Sequence, residues 1–356
     1  MKERLKKAHN LMNEKKIKAI IIDSGINRRY LSGFTGTAGR ILLSIEKDYL
    51  FTDFRYTEQA AKEIEGLEVL EVNRNFEEKL NEILNNLGIE KLAFESKTIS
   101  YQQFQKYEDI LECELEAVSD FVEELRVVKD DEEIENIKKA VEITDQAFDH
   151  ICQFIKAGMT EKEVALELEF FMKKKGASDN AFDFIVASGK RSSLPHGVAS
   201  DKVIEKGDFI TMDFGTFYEG YCSDLTRTVV LGKADRKQKN IYNIVLEAQL
   251  KVIEKIKANM SCKDVDAIAR DIISEAGYKD NFGHGLGHGI GLEVHEDPRL
   301  SFTSDHFLKA DMIVTDEPGI YIPNWGGVRI EDDLLITEEG CEVLNKAPKE
   351  LIEIGL

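Results

Sequence analysis

The first sixteen residues are amphipathic and charged like a surface helix, and Ala19-Ile-Ile-Ile22 follows as a short, wholly apolar run, the mark of a buried strand. Gly33, Gly36 and Gly39 interrupt the stretch Phe34-Thr-Gly-Thr-Ala-Gly39 as a loop, and Ile41 to Ser44 and Tyr49 to Thr52 read as strands. Helical segments are predicted near 54–65, 75–87 and 100–111, with a strand at Leu92 to Phe94. This is α/β material over about 125 residues. The charge-dense junction Glu123-Glu-Leu-Arg-Val-Val-Lys-Asp-Asp-Glu-Glu133 then leads into a long helix running to about Lys156, so a domain boundary is expected near 125–128, dividing the chain into 1–126 and 127–356.

The second part repeats itself. Ile155-Lys-Ala-Gly-Met-Thr-Glu-Lys-Glu-Val164 aligns without gaps on Ile256-Lys-Ala-Asn-Met-Ser-Cys-Lys-Asp-Val265, six identities in ten at an offset of 101, and Gly176 falls on Gly277 at the same offset. Each copy sets a hydroxyl three residues before an acid, Thr160 to Glu163 and Ser261 to Asp264, as in a helix-start capping box. An offset of 101 is too long for a solenoid, so two related halves of one domain are expected, each a helix pair followed by strands, with a cleft between them.

Composition narrows the function classes. The 356 residues carry 47 basic and 67 acidic side chains, a formal charge of −20, which disfavours nucleic acid and anionic membrane as partners. Most of that surplus, −15, lies after Val128. Five widely spaced Cys with no CxxC pair fit a reducing cytoplasm rather than a disulfide framework. No signal peptide or membrane span is expected.

The chemistry-bearing residues fall in two hairpins and a Gly-His run. Thr211 to Val229 reads as two strands joined by a turn at Tyr218-Glu-Gly220, which can bring Asp213 and Asp224 together. Two such carboxylates repel unless protonated or bridged by a cation. Acids acting only as turn formers are the alternative, and the match of Asp213-Phe-Gly to the kinase tripeptide lacks the accompanying Gly-rich and His-Arg-Asp loops. In the second half, Thr315-Asp-Glu317-Pro-Gly and Val328-Arg-Ile-Glu331-Asp-Asp form another apparent hairpin, with Glu331 inside an apolar strand from Val328 to Ile336 and Asp332 and Asp333 as simple strand caps.

Between the pairs lies Phe282-Gly-His284-Gly-Leu-Gly-His288-Gly-Ile-Gly-Leu-Glu-Val-His295, whose alternating glycines would let backbone approach a ligand while imidazoles project into it. Neither HExxH nor GxGxxG spacing is present. His196, in Ser192-Ser-Leu-Pro-His196-Gly, sits in an expected surface loop. Four carboxylates and an imidazole suit Mn, Co, Zn or Fe and would neutralise two divalent ions. Two ions about 3.5–4 Å apart clamp a hydroxide suited to attack on a carbonyl, making amide hydrolysis the leading reaction class.

On these residues, together with Tyr30-Leu-Ser-Gly-Phe-Thr-Gly-Thr-Ala-Gly39 and Thr52-Asp-Phe-Arg-Tyr-Thr-Glu-Gln59, the whole chain resembles the pita-bread metallopeptidases, within them the Xaa-Pro aminopeptidases and Xaa-Pro dipeptidases (prolidases). The resemblance implies a creatinase-like N-terminal α/β domain and a pita-bread catalytic domain. It implies Asp213, Asp224, His288, Glu317 and Glu331 as metal ligands, Asp224 and Glu331 bridging two ions, most simply Mn or Co. It makes His196 and His295 the pair that stabilises the tetrahedral intermediate, Glu317 a manager of protons, His284 a substrate-pocket residue and Arg329 a cleft-side residue near the metals. Tyr221 and Tyr321 are candidates to line a proline pocket. A peptide with Pro second is the implied substrate, and a homodimer the implied assembly. The competing readings are a same-fold methionine aminopeptidase or creatinase, and a non-catalytic binding protein that kept the fold.

Overall fold

The run Ala19–Ile22 is fully buried because it forms an interior strand covered on both faces, the environment in which a strand reads as continuously apolar. In the computed structural model, which describes residues 2–355, it belongs to a six-stranded sheet ordered 68–71, 49–52, 40–44, 19–22, 91–95, 114–118. Only Arg40–Ser44 runs against the others. Helices Phe76–Asn86 and Tyr101–Ile110 bury Leu80, Leu84 and Tyr107 in a core with Ile21, Leu42 and Phe94.

Four elements of this unit lie outside the predicted set, one of them the short helix Glu123–Arg126 within the charge-dense junction. Helix Gly25–Ser32 is capped by Ser24, whose hydroxyl accepts from the Asn27 amide, and stopped by Gly33 at φ 75°. Glu68–Glu71 and Glu114–Val118 are the two edges of the sheet. Their half-exposed, acid-rich sequences blunt those edges and for the same reason lack a strand's apolar signature.

The chain divides into compact units at Arg126 and Val127. In the second unit two helix pairs, Asp131–Phe154 with Glu161–Lys174 and Arg236–Lys255 with Cys262–Glu275, each precede strands, as expected. The second helices of the pairs stand 101 residues apart at both ends. The correspondence extends to the backbone: Gly158 and Asn259 both take positive φ (95° and 68°), and the amides of Ile204 and Leu308 donate to the carbonyls of Met159 and Met260 at 2.8 and 2.9 Å. Thr160 and Ser261 both cap their helices, but only Glu163 completes a box by accepting from the Thr160 amide. Asp264 is one methylene shorter and does not.

Each half has its own apolar core. In the first half Phe209–Phe214 pairs antiparallel with Leu225–Leu231; in the second, Ile313–Asp316 pairs with Asp332–Ile336. The predicted turn at 218–220 is present, with Glu219 at φ 47° and Gly220 at φ 80°, but it closes a small excursion, Thr216–Tyr218 against Tyr221–Cys222, set into the hairpin. The single strand expected from Val328 to Ile336 is two. Gly326–Arg329 pairs with Gly319–Ile322, the chain leaves the ladder at Ile330-Glu331, and Asp332–Ile336 joins another sheet. At that break the Glu331 amide donates to the Thr226 carbonyl at 3.0 Å, while the Thr228 hydroxyl donates to the Arg329 carbonyl at 3.0 Å, stitching one half to the other.

Asp332 and Asp333 are not exposed caps. Both are fully buried: Asp332 accepts from Arg227 at 2.7 Å, Gln249 at 2.5 Å and Lys349 at 3.0 Å, and Asp333 accepts from the Asp224 amide at 3.0 Å. Arg227, 1% exposed, also donates to the carbonyls of Thr226, Glu331, Ala347 and Pro348. Removing one partner of such a pair leaves an uncompensated buried charge. Arg227→Met is expected to lower unfolding free energy by about 3–5 kcal/mol, measured by denaturant titration; a loss within ~0.5 kcal/mol, the range of an ordinary surface substitution, would show that Asp332 is compensated without it.

Candidate active site

Asp213 occupies the penultimate position of Phe209–Phe214 and Asp224 directly precedes Leu225–Leu231, so the hairpin brings both acids to one end. Gly215 permits the intervening excursion, because a Cβ there would stand 1.9 Å from the Ser223 carbonyl oxygen. His288 is the centre of the short strand Gly287–Gly289. Side chains on its two flanking glycines would meet the carbonyl oxygens of Thr315 at 2.0 Å and Asp297 at 2.3 Å. Gly287 and Gly289 therefore seat this strand between its neighbours; Gly287 also lines the cleft, as the sequence expectation has it, whereas Gly289 does not. Glu317 follows Ile313–Asp316, its amide donating to the Leu286 carbonyl at 2.8 Å, and Glu331 sits at the strand break.

These five residues line one cleft of about 740 Å³ together with His196, His284, His295 and Arg329. Asp224, His288 and Glu331 are almost wholly buried, whereas His196 and His295 stand exposed at the mouth. The His288 Nδ1 lies 3.1 Å from the Gly289 carbonyl, which can only accept, so the ring proton belongs there and Nε2 turns its lone pair inward. That Nε2 is 3.6 Å from a Glu317 oxygen and 3.9 Å from an Asp224 oxygen. A lone pair facing carboxylates is repulsive with nothing between them. Burial pushes the His288 imidazole down to about 3, which keeps it neutral.

The carboxylates show the same strain. Burial, reinforced by mutual repulsion, raises Asp224 and Glu331 well above the ordinary acid range and lifts Glu317 to about 8. Asp213 Oδ1, Asp224 Oδ1 and Glu331 Oε1 are buried without a hydrogen-bond partner among the described residues. Donor atoms of Asp224, His288 and Glu331 lie within 4.8 Å of one another. Four carboxylates, a neutral imidazole and three unpartnered buried oxygens fit divalent cations, which would satisfy the lone pairs and compensate the charge.

Arg329 and Tyr321 form the wall behind the acids. Arg329 donates to Asp213 at 2.6 Å, to the Tyr321 hydroxyl at 2.7 Å and to the Thr226 hydroxyl at 3.0 Å; Thr226 in turn donates to Glu331 at 2.5 Å. The Tyr321 hydroxyl also lies 3.0 Å from His284 Nε2. Burial and the nearby Arg329 drive His284 down to about 4. Neither tyrosine lines the cleft, correcting that expectation. Tyr321 is packed behind two cleft residues, and Tyr221 is turned away, its hydroxyl donating to Glu133 of helix Asp131–Phe154 at 3.2 Å.

The cleft also holds residues that the sequence reading passed over. Phe182, Ile185, Val198 and Val294 supply an apolar side. Arg299 lines the cleft, and its guanidinium has no hydrogen bond or ion pair among the described residues. Burial alternates along Glu296–Leu300 and turns Arg299 outward four positions after His295, whereas the sequence Glu-Asp-Pro-Arg-Leu shows no apolar–polar alternation that would have announced it.

A cleft of buried acids and one inward-facing imidazole, on a duplicated α/β scaffold, defines a metal-dependent hydrolase. Residues 135–338 match the model of metallopeptidase family M24, and residues 4–128 match the creatinase/prolidase N-terminal domain. The chain belongs to family M24, as a metallopeptidase with a creatinase-type N-terminal domain. It is 45% identical to the Xaa-Pro dipeptidase of Pyrococcus furiosus over 99% of this chain and 100% of that one. Among solved structures, an Xaa-Pro dipeptidase from Bacillus anthracis matches at TM-score 0.97, with 50% identity and 99% of each chain covered. An X-Pro aminopeptidase from Thermotoga maritima matches at TM-score 0.92 and 44% identity, covering 98% of this chain and 100% of that one. The family works with divalent metal ions, and no helix among the described residues is long and apolar enough to cross a membrane.

The raised Glu317 has a consequence for metal-free protein. A carboxyl whose folded pKa of about 8 exceeds its unfolded value near 4.5 contributes stability that is complete below about 4.5 and lost as pH rises through about 8. Relative to Glu317→Gln, chelator-treated wild type is expected to lose stability steadily between these values, read from denaturant unfolding across pH. A pH-independent difference would mean that Glu317 ionises normally in the folded chain.

Proposed function

We propose that this chain is a dinuclear metallopeptidase that hydrolyses the bond between an N-terminal residue and a following proline, with dipeptides as its preferred substrates. The observation that carries the metal reading is the convergence of Asp213, Asp224, His288, Glu317 and Glu331 on one cleft, three of their buried oxygens unpartnered. The Xaa-Pro specificity rests on the relatives that bear that name and cover nearly the whole chain.

Those five residues would hold two divalent ions. Such ions would supply Lewis acidity toward the scissile carbonyl and a nucleophile at neutral pH. Mn or Co suits the oxygen-rich donor set, with Zn and Fe also compatible.

The chain's own groups do the rest. Thr226 and Arg329 hold Glu331 and Asp213 in place by hydrogen bonds, so the acids keep their aim when the cleft fills. His196 and His295, at the mouth, donate to the oxyanion that develops on the attacked carbonyl. Glu317, which lines the cleft beside the other acids, takes a proton from the attacking water and returns it to the proline nitrogen. The imide nitrogen before proline has no hydrogen to offer, so recognition falls to shape, and Phe182, Ile185, Val198 and Val294 give an apolar side for the ring.

Arg299 supports the dipeptide preference. An unpaired guanidinium in the cleft suits a free carboxylate, which a dipeptide with Pro second presents one residue beyond the scissile bond. Arg299→Ala is expected to raise KM for an Xaa-Pro dipeptide about tenfold or more while leaving hydrolysis of a tripeptide with Pro second little changed. Equal loss on both would remove Arg299 from carboxylate recognition.

His295→Ala should lower kcat by about 10²–10³ with metal content intact, assayed by turnover and elemental analysis. Loss of metal would make His295 a ligand instead. Failure of Mn- and Co-loaded protein to cleave any peptide with Pro second would overturn the function proposed here in favour of another specificity or a binding role.

A further inference from the structure

Within the N-terminal unit a second cleft, of about 330 Å³, is lined by Asp23, Arg28, Arg40, Asp53, Asn73 and Phe76 among others. Asp23, Asp53 and Asn73 lie one or two residues past the ends of strands 19–22, 49–52 and 68–71, which all run the same way. Arg40 begins the one reversed strand and so stands at that same edge. The carboxyl edge of parallel strands is where open α/β sheets bind ligands.

The charges at this edge are unevenly bonded. Asp23 is bonded by Arg40 Nε and by the Tyr107 hydroxyl, and Asp53 is held twice by Arg55, at 2.8 and 2.7 Å. Arg28 is only 5% exposed and forms no ion pair among the described residues. Its Nη1 and Nη2 donate to the carbonyls of Gly39 and Gly36 at 2.7 and 2.6 Å, and its Nε has no acceptor. Both acids are thus held by arginine partners, the buried Arg28 charge has no carboxylate bonded to it, and Glu77, bonded only by the Gln103 amide among the described residues, acts on Arg40 from behind.

Donors are left over. The Arg40 guanidinium lies over the Phe76 ring, 4.3 Å from its centroid, and its Nη1 and Nη2 donate to no described residue. The amides of Thr37, Ala38 and Gly39 in the adjoining loop are likewise without acceptors among the described residues. A run of free backbone amides beside an arginine fork is an anion-binding arrangement.

We propose that this cleft binds a small organic carboxylate, its oxygens on the Arg40 fork and the 37–39 amides and its apolar part against Phe51, Val72 and Phe76. The two free nitrogens of Arg40 and the amides beside them match the two oxygens of a carboxylate. A phosphate dianion would bring a second negative charge beside Asp23 and Asp53. This site lies wholly in the N-terminal unit and does not depend on the peptidase reading.

The test is isothermal titration of full-length, metal-loaded protein with isobutyrate, and separately with inorganic phosphate, at fixed ionic strength. Isobutyrate should bind with a dissociation constant of about 1 mM or tighter. Arg40→Gln and Asn73→Asp should each weaken that binding about tenfold or more. Asn73 is exposed, so its substitution places a negative charge at the cleft without disturbing the fold. Carboxylate bound at the peptidase cleft would be retained by both variants. No isobutyrate binding beyond that retained fraction, or a preference for phosphate, would overturn the proposal.

Discussion

Four carboxylates and an imidazole lone pair are held out of water at one point of this chain, and the catalytic unit is arranged around that electrostatic burden. The desolvated acids repel one another, and the inward-facing His288 nitrogen adds to the repulsion. Left to itself such a cluster takes up protons or opens. The protein stabilises it with a rigid surround: Arg329 and Thr226 brace Asp213 and Glu331, and the Arg227–Asp332 pair, itself anchored on four backbone carbonyls, fixes the segment that carries Glu331. The remaining compensation falls to divalent cations, which is how an unfavourable arrangement of acids becomes a site with chemistry.

Duplication explains how one chain gathers these groups. Each half contributes a hairpin bearing two acids, and the halves are joined where Thr226 and Thr228 meet Glu331 and Arg329, about 101–105 residues further along the chain. The repeat is kept in backbone detail, down to paired positive-φ residues at 158 and 259, yet the chemistry is unequal. Only the second half supplies the Gly-His run, so the imidazole comes from one side of a symmetric frame.

Much of this was legible because the signals are local. The offset-101 repeat, the apolar strand at 19–22 and the hairpin around Tyr218-Glu-Gly220 all follow from short-range pattern, and the nine acids, histidines and arginine expected near the site do line one cleft. What the pattern missed is tertiary. The two edge strands of the N-terminal sheet are polar because they are edges. The break at Ile330-Glu331 is imposed by pairing with two different sheets, and nothing in Val328 to Ile336 announces it. Asp332 and Asp333 look like solvated caps until Arg227, over a hundred residues away, is found against them. Tyr221 fails as a pocket residue because the small excursion in the hairpin turns its hydroxyl to Glu133.

The claim on which the rest hangs is that this acid cluster exists to hold cations. Anomalous diffraction from crystals of the Mn-loaded protein, collected on the manganese edge, tests it directly. The account predicts two peaks per chain in the 740 Å³ cleft, each within coordination distance of oxygens from Asp213, Asp224, Glu317 or Glu331 and one of them also reached by His288 Nε2. A cleft without peaks, or manganese bound only elsewhere on the acidic surface, would contradict it.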